Sequence, residues 1–399
     1  MISVKEAQEI VLKSAKILPV ESAALTDAYG RVLRENIRSD RDQPPFDKST
    51  MDGIAVSFEA LQKGVHAFVI EGIAPAGQRQ LKKTKVDGCF RIMTGAVVPQ
   101  GCDCVIPVEY VRLQGNRAAV SLEEPVVRGQ NIRPKGSDHA KGALLLTSGC
   151  RLSPVHIAAA ASVGKSKIKV SIKPKVAVIA TGDELVDIDL PKIQPYQIRK
   201  SNSYALDATF KQTGLCEPQM FHLKDEPKLL LKEIGKILSK FDVVVLSGGV
   251  SMGEFDYVPR VLNELGVRLL FHKVAQKPGK PFWFGKSKTG QAVFALPGNP
   301  VSTQICAYRY VVPFLTKAAG LPNAQRHVAL EEDIRIKSEL AHFVPVRIKE
   351  DGKGMTLAAQ VSTGGSGDYA SLALADGFVE LEASGQSFLK GALVPFFTW

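Results

Sequence analysis

Residues 243–257 read VVVLSGGVSMGEFDY, and the order of residue types in this stretch sets the fold. Three valines and a leucine run straight into Ser247-Gly248-Gly249, with no polar residue among them. A strand with one wet face alternates apolar and polar residues, whereas a continuous apolar run predicts a strand covered on both faces, as in a parallel sheet. Glycines at the exit let backbone N–H groups approach an anion closely, and a following helix start adds the positive end of its dipole. Yet the loop has no Walker lysine, is not G-x-G-x-x-G, and is crowded by Glu254 and Asp256. It predicts an anion loop whose carboxylates need a reason of their own.

The same texture continues outward. VAVIA (176–180) predicts a strand, residues 202–213 a helix ended by Gly214, and residues 226–239 a second helix. Residues 256–265 predict a third helix ended by Gly266, and AVFALP (292–297) a further strand before a helix starting at Asn299-Pro300. Alternation of strand and helix predicts a three-layer α/β domain with a parallel-rich sheet over about residues 176–320.

The flanks differ. Ser3 and Glu6 form a capping box, with Val4, Ala7, Val11, Ala15 and Leu18 following at helical spacing, and a second short helix is expected from Thr26 to Glu35. From Gln43 to about Leu146, short β-like runs alternate with glycine turns, which predicts a small β-rich domain. Ser153-Pro154 opens a helix that Gly164 closes, and KSKIKVSIKPK (165–175) reads as a solvated strand or linker. After Leu321-Pro322 the texture is β-rich again to Trp399. The expected organisation is a helical linking domain (1–42 with 147–175), a β-rich domain (43–146), the α/β domain (176–320) and a C-terminal β-barrel-like domain (321–399).

Composition narrows the classes. The chain has 399 residues, 45% hydrophobic and 23% charged, which fits a multidomain soluble globular protein. No apolar run approaches the ~18 residues of a membrane span. The N-terminus carries acids in a helical period rather than a signal or transit pattern, so a cytoplasmic location is expected. Six scattered cysteines with no C-x-x-C fit a reduced compartment, and Cys102 with Cys104 lack the nearby histidines of a zinc site. The balance of 51 basic against 40 acidic residues gives +11 and points to an anionic partner. Aromatics are only 7%, without an RNP-type run or zinc-finger spacing, so a small polyanion is expected rather than nucleic acid.

Ligands of an open parallel sheet bind outside the carboxyl ends of its strands, where three loops fall. They supply Thr181, Gly182 and Asp183; Ser247, Gly248, Gly249 and Ser251; and Pro297, Gly298, Asn299, Pro300 and Ser302 as candidate substrate-binding residues. Structural readings compete at single positions: Asn299 before Pro300 reads as a helix cap, Asp256 as another, and Thr181 and Asp183 as a strand-exit turn. Glu184 is harder to dismiss, because a carboxylate beside a phosphate repels it unless a cation intervenes. Glu184 with Asp256 suggests a divalent ion, Mg²⁺, held through carboxylates and substrate oxygens. Lys277 and Lys280 flank a Pro-Gly turn and supply compact positive charge to an oxyanion. In PPFDKSTMDGIAV (44–56), Asp52 alone reads as a turn residue.

Taken together, PPFDKSTMDGIAV, RIMTGAVVPQGCDCVIPVE (91–109), RGQNIRPKGSD (128–138), ATGDEL (180–185), LSGGVSMGEFDY (246–257), KPGKPFWFG (277–285) and LPGNPVS (296–302) occur in an order that resembles the molybdopterin molybdenumtransferases. That family includes the E domain of gephyrin, and the resemblance spans essentially the whole chain. It implies an elongated homodimer, with a site shared between the α/β domain of one subunit and the β-rich domain of the other. It implies a reaction of molybdate with adenylated molybdopterin that releases AMP with a divalent cation, in company with the enzymes that make and adenylate molybdopterin. Carried over by position, Asp52, Glu184, Asp225, Asp256, Lys277 and Lys280 are implied as catalytic and Thr94 and Asp138 as substrate-binding. Asp225, in HLKDEP, has a helix cap as its structural alternative.

Two departures stand out. IRKSN (198–202) puts Lys200 where many relatives have an acid, and FVPVR (343–347) puts Pro345 where many have an arginine, with Arg347 two further on. Ser366, in STGGSGD (362–368), is a weaker candidate. Two other readings compete with the transferase: adenylyl transfer to molybdopterin, against which the two flanking β-rich segments argue, and a non-catalytic scaffold of the gephyrin kind, against which the charge cluster argues.

Overall fold

The computed structural model describes residues 1–121, 125–250, 256–336, 338–352, 354–383 and 387–399. Two compact units divide the chain: Met1–Arg34 with Gly149–Ser153 and Ile168–Trp399, and Glu35–Ser148 with Pro154–Lys167.

The first unit is built around a six-stranded sheet whose strands are, in chain order, Lys175–Thr181, Glu217–Leu223, Val243–Ser247, Arg268–His272, Trp283–Lys286 and Ala292–Leu296. Their spatial order is 2-1-3-6-5-4. Strands 2, 1, 3 and 6 are parallel; 5 is antiparallel to both 6 and 4. The all-apolar strand pattern has the cause expected of it. Val176, Val178, Val243 and Val245 pack on one face with Phe210, Phe294 and the helix Val4–Ser14. Ala177, Ile179, Val244 and Leu246 pack on the other against Leu230, Ile234 and Val261. Each fully buried large side chain, Phe294 among them, stabilises this unit by roughly 1.5–3 kcal/mol.

The N-terminal capping box forms as the sequence implies, Ser3 and Glu6 exchanging backbone-to-side-chain bonds at 2.8 and 3.2 Å. The short helix expected over Thr26–Glu35 does not form. Only Leu25–Asp27 makes a 3-10 turn; Val32 and Leu33 are buried and bridge to Arg151 and Val170. Strand-like pairing outcompeted a weak local helical preference.

At the C-terminus, Ala341–Glu350 pairs with Thr356–Gln360, which pairs with Arg326–Leu330, then Leu393–Thr398, then Gly377–Leu381, and that strand returns to Ala341–Glu350. The circuit closes a five-stranded barrel around Val328, Leu330, Val346, Val379 and Phe396. The two-residue strand Gln276–Lys277 pairs in parallel with Ala341–His342 and ties the barrel to the α/β layers.

The second unit holds a six-stranded sheet in the order Cys104–Pro107, Gly53–Val56, Gly88–Ile92, Ala67–Ala74, Arg117–Val120, Val111–Gln114. Its apolar residues divide into clusters on the two faces around Ile54, Val56 and Phe68, and around Ala55, Phe90 and Ile92. Among the described residues, no helix is long and apolar enough to cross a membrane.

Candidate active site

In the first unit, chain order reverses between strands 1 and 3, which leaves a crevice at their carboxyl ends. Thr181, Ser247 and Leu296 end neighbouring strands in register there, Ala180 opposite Ser247 and Ser247 opposite Leu296. Gly248 and Gly249 have φ of +104° and +64°, and a Cβ on Gly248 would lie 2.5 Å from the Thr181 carbonyl oxygen. Only glycine fits a loop so close to the neighbouring strand.

Three cavities adjoin at this edge. One of ≈ 380 Å³ is lined by Thr181, Glu184, Lys200, Asn202, Gly298 and Asn299 among others. A second, ≈ 410 Å³, is lined by Gly182, Glu184, Asp225, Gly249, Asp256 and Asn299. The third, ≈ 510 Å³, has Lys277, Lys280, Asn299, Ser302, His342 and Ser366 on its walls. Asn299 belongs to all three, and Pro281 and Pro297 border both the carboxylate and the lysine cavities.

The carboxylate cavity is electrostatically loaded. Asp225 donates its backbone N–H to Asp183 Oδ1 at 3.2 Å. Its own carboxyl is pushed up from 3.8 to about 6, by burial first and then by Asp183, Glu184 and Asp256. Its Oδ1 is buried with no hydrogen-bond partner among the described residues, and so is the Thr181 hydroxyl. Asp225 is therefore not spent as a helix cap; Glu226 holds the cap position of Pro227–Leu238, with no side-chain bond. Asp256 likewise lies before Tyr257, the cap position of Val258–Glu264. Among the described residues no three acidic, imidazole or thiol groups form a ready metal cage. The donors are nevertheless all hard oxygens, and one of them, Asp225 Oδ1, is orphaned among the described residues. They fit a divalent cation that completes its shell with substrate oxygens.

The lysine cavity is built from the turn after Gln276–Lys277. Gln276 is fully buried, accepts from the Tyr310 hydroxyl at 2.5 Å and donates to the Pro278 carbonyl at 3.1 Å, which holds the turn. Lys277 and Lys280 are exposed to the cavity, and neither forms an ion pair among the described residues. Asn299 occupies the cap position of Pro300–Cys306, but its side chain does not cap; Nδ2 donates to Ser366 Oγ at 2.8 Å.

In the second unit, Asp52 Oδ1 accepts from both the backbone N–H (2.6 Å) and hydroxyl (2.8 Å) of Thr94, which hold its pKa below the usual value. Gly53 is required by packing, since a Cβ there would meet the Ile106 carbonyl oxygen at 1.9 Å. Asp138 instead accepts from Arg133 Nε at 2.8 Å.

Comparison with known proteins gives matches along most of the chain. A family model described as MoeA N-terminal region (domain I and II) matches residues 2–164, one described as "probable molybdopterin binding domain" matches 177–317, and one described as MoeA C-terminal region (domain IV) matches 327–399. A molybdopterin molybdenumtransferase of Synechocystis sp. is 36% identical over 403 residues, covering 100% of both chains. The chain belongs to the molybdopterin molybdenumtransferase family. A member from Bacillus subtilis is 31% identical, covering 98% of this chain and 93% of its own. A molybdopterin biosynthesis moeA protein from Pyrococcus horikosii has a similar solved structure, with a TM-score of 0.84, 33% identity and coverage of 100% and 99%. None of these three relatives is named as an adenylating enzyme or a scaffold.

Set against the transferase motifs, the structure gathers Thr181, Gly182, Asp183, Glu184, Asp225, Gly248, Gly249, Asp256, Pro297, Gly298 and Asn299 around the crevice. Ser247 and Pro300 line the adjoining cavity, and Lys277, Lys280 and Ser302 the third. Ser251 lies outside the described residues. Asn202 escaped the sequence reading. Its Nδ2 lies 2.9 Å from Ser247 Oγ, 2.7 Å from the Gly298 carbonyl and 3.2 Å from Thr303 Oγ1, and its Oδ1 accepts from the Tyr369 hydroxyl. It joins two of the three exit loops. Lys200 is largely buried and forms an ion pair with Asp187.

Proposed function

We propose that this chain transfers molybdenum from molybdate to adenylated molybdopterin and releases AMP. The observation that carries the reading is one strand-exit edge divided into a carboxylate-walled and a lysine-walled cavity that share Asn299, Pro281 and Pro297. Backbone N–H groups of the glycine loops at 181–182 and 248–249 cradle the pterin and its phosphate. Glu184 and Asp256, with Asp225 beside them, hold Mg²⁺ or another divalent cation. When bound, that cation offsets the phosphate charge that would otherwise be repelled by these acids. Lys277 and Lys280 hold molybdate as fixed positive charges, with Ser302 in the same wall.

In this reading the working form is a homodimer, and Asp52, Thr94 and Asp138 of a second copy complete each site. Support comes from Asp52, an exposed carboxylate kept ionised and oriented by Thr94 although no cation pairs with it among the described residues. A cytoplasmic location goes with the six unpaired cysteines.

Incubating the protein with adenylated molybdopterin, Mg²⁺ and molybdate, and following AMP, tests the proposal. AMP release that ignores molybdate refutes it, and ATP consumption with free molybdopterin favours adenylyl transfer instead. Mixing Asp52→Ala with Glu184→Ala chains tests the shared site: activity returns in the mixture if each site draws on two copies.

A further inference from the structure

The lysine cavity contains a third basic group that the proposed reaction leaves idle. His342 lies at the start of the strand Ala341–Glu350, directly opposite Lys277 in a parallel pairing, so the two side chains leave the same face. His342 lines the cavity, and so does Pro345, which brings no charge. Its Nε2 is buried with no hydrogen-bond partner among the described residues. A buried ring nitrogen without a partner costs stability, so that atom gives the residue no structural reason to stand in the wall beside Lys277.

Among the described residues the surroundings withhold a counter-ion. Burial first and then Lys277 hold the ring's pKa below its usual 6.5, so it is neutral at pH 7 in the free protein. Lys280 shares the turn with Lys277 and adds further positive charge to the cavity. Glu380, on the paired strand Gly377–Leu381, is taken up by Arg309. Asp368 caps the helix Tyr369–Leu372 and accepts from Gly364 and Ser371. Glu339 and Glu382, beyond the two strand ends, are exposed to solvent. A tetrahedral dianion between Lys277 and the ring would reverse this balance, because it offsets the lysine and favours imidazolium.

We propose that His342 is a proton-gated ligand of the oxyanion cavity, binding the tetrahedral dianion as imidazolium and taking up a proton as the anion enters. The inference rests on the oxyanion role proposed above for that cavity. It also gives the cavity a device for release: as the anion is consumed, the proton leaves and the ring returns to its neutral state.

Calorimetric titration of the full-length protein with sodium molybdate, from about pH 6 to about pH 8 in two buffers of different ionisation heat, reads affinity and proton uptake together. In the wild type, affinity falls with rising pH by up to about tenfold per unit between the free and bound pKa values, with net proton uptake. His342→Gln, with His342→Asn as a second neutral variant, binds molybdate without that slope or uptake and melts as the wild type does. Lys277→Ala weakens binding at every pH. If both His342 variants keep the wild-type slope and uptake, this inference falls while the cavity's role stands. If the wild type does not bind molybdate, or Lys277→Ala leaves its affinity unchanged, the cavity's role falls and this inference with it.

Discussion

Replacing Asp225 with asparagine should stabilise the protein while disabling it. The Asp225 carboxyl is raised from 3.8 to about 6, by burial first and then by Asp183, Glu184 and Asp256. The folded state thus binds a proton that the unfolded state has released, and stability falls as pH rises through that interval. The penalty is absent below about pH 4 and complete above about pH 6. At full strength a shift of this size is about 3 kcal/mol, and solvent screening of a half-buried group reduces it to about 1–2 kcal/mol. Asparagine keeps the shape and removes the charge. Melting curves of Asp225→Asn and wild type should nearly coincide near pH 4 and separate by about 2–5 °C near pH 7.5, the variant higher. Mg²⁺ should raise the wild-type melting temperature at neutral pH more than the variant's, because it neutralises the same excess charge. Equal stability of the two proteins at pH 7.5, or a variant advantage that does not change with pH, would refute the reasoning.

Other perturbations read different parts of the site. Gly248→Ala forces a Cβ to within 2.5 Å of the Thr181 carbonyl at a φ of +104°; a loss of about 2–4 kcal/mol in denaturant unfolding and no AMP release are expected. Asp52→Ala removes the acceptor of both Thr94 bonds on an exposed surface, so turnover should fall by at least about a hundredfold with the melting curve unchanged. A large melting shift would make Asp52 a turn residue only. Asn202→Ala strips the donor shared by Ser247 and Gly298 and removes an acceptor of the Tyr369 hydroxyl; about 1–3 kcal/mol of stability should go, and KM for adenylated molybdopterin should rise more than kcat falls.

What could be read from the sequence was whatever is encoded locally. VVVLS and VAVIA announce two-sided burial through composition alone, and the clusters on both faces of the sheet bear that out. The exit glycines were legible because a tight approach leaves no substitute for glycine, as at Gly248 against Thr181. Asn202 was not legible. Its acceptor Gly298 is 96 residues away and its donor Tyr369 167 away, and nothing in IRKSN distinguishes a hub from an ordinary strand-to-helix junction. The role of Asn299 was misjudged for the converse reason. Asn-Pro is a strong local signal for a cap, and the cap position is indeed filled, but the side chain is drawn off by Ser366 across the cavity. The Thr26–Glu35 helix failed in the same way, since the pairing of Val32 and Leu33 with distant segments outweighs a weak propensity. In each case the information resides in a contact between remote positions.

The placement of charge explains why one edge needs separate cavities. A lysine and a carboxylate about 4 Å apart near a protein surface attract by about 4 kcal/mol at an effective dielectric of about 20. Had Lys277 and Lys280 been able to reach Asp225, Glu184 or Asp256, mutual neutralisation would have been the low-energy arrangement, and both sets would be lost to ligands. Instead the carboxylates crowd one another enough to raise Asp225 to about 6, while the lysines stand without ion pairs among the described residues. Pro281, Pro297 and Asn299 form the divide, the prolines with restricted backbones and Asn299 pinned to Ser366. A wall that keeps acidic and basic clusters apart must be rigid. The fold anchors it with the buried Gln276–Tyr310 bond on one side and the Asn202 network on the other. The outcome is an edge that presents an acidic and a basic wall side by side, as the proposed pairing of a cation-bound phosphate with an oxyanion requires.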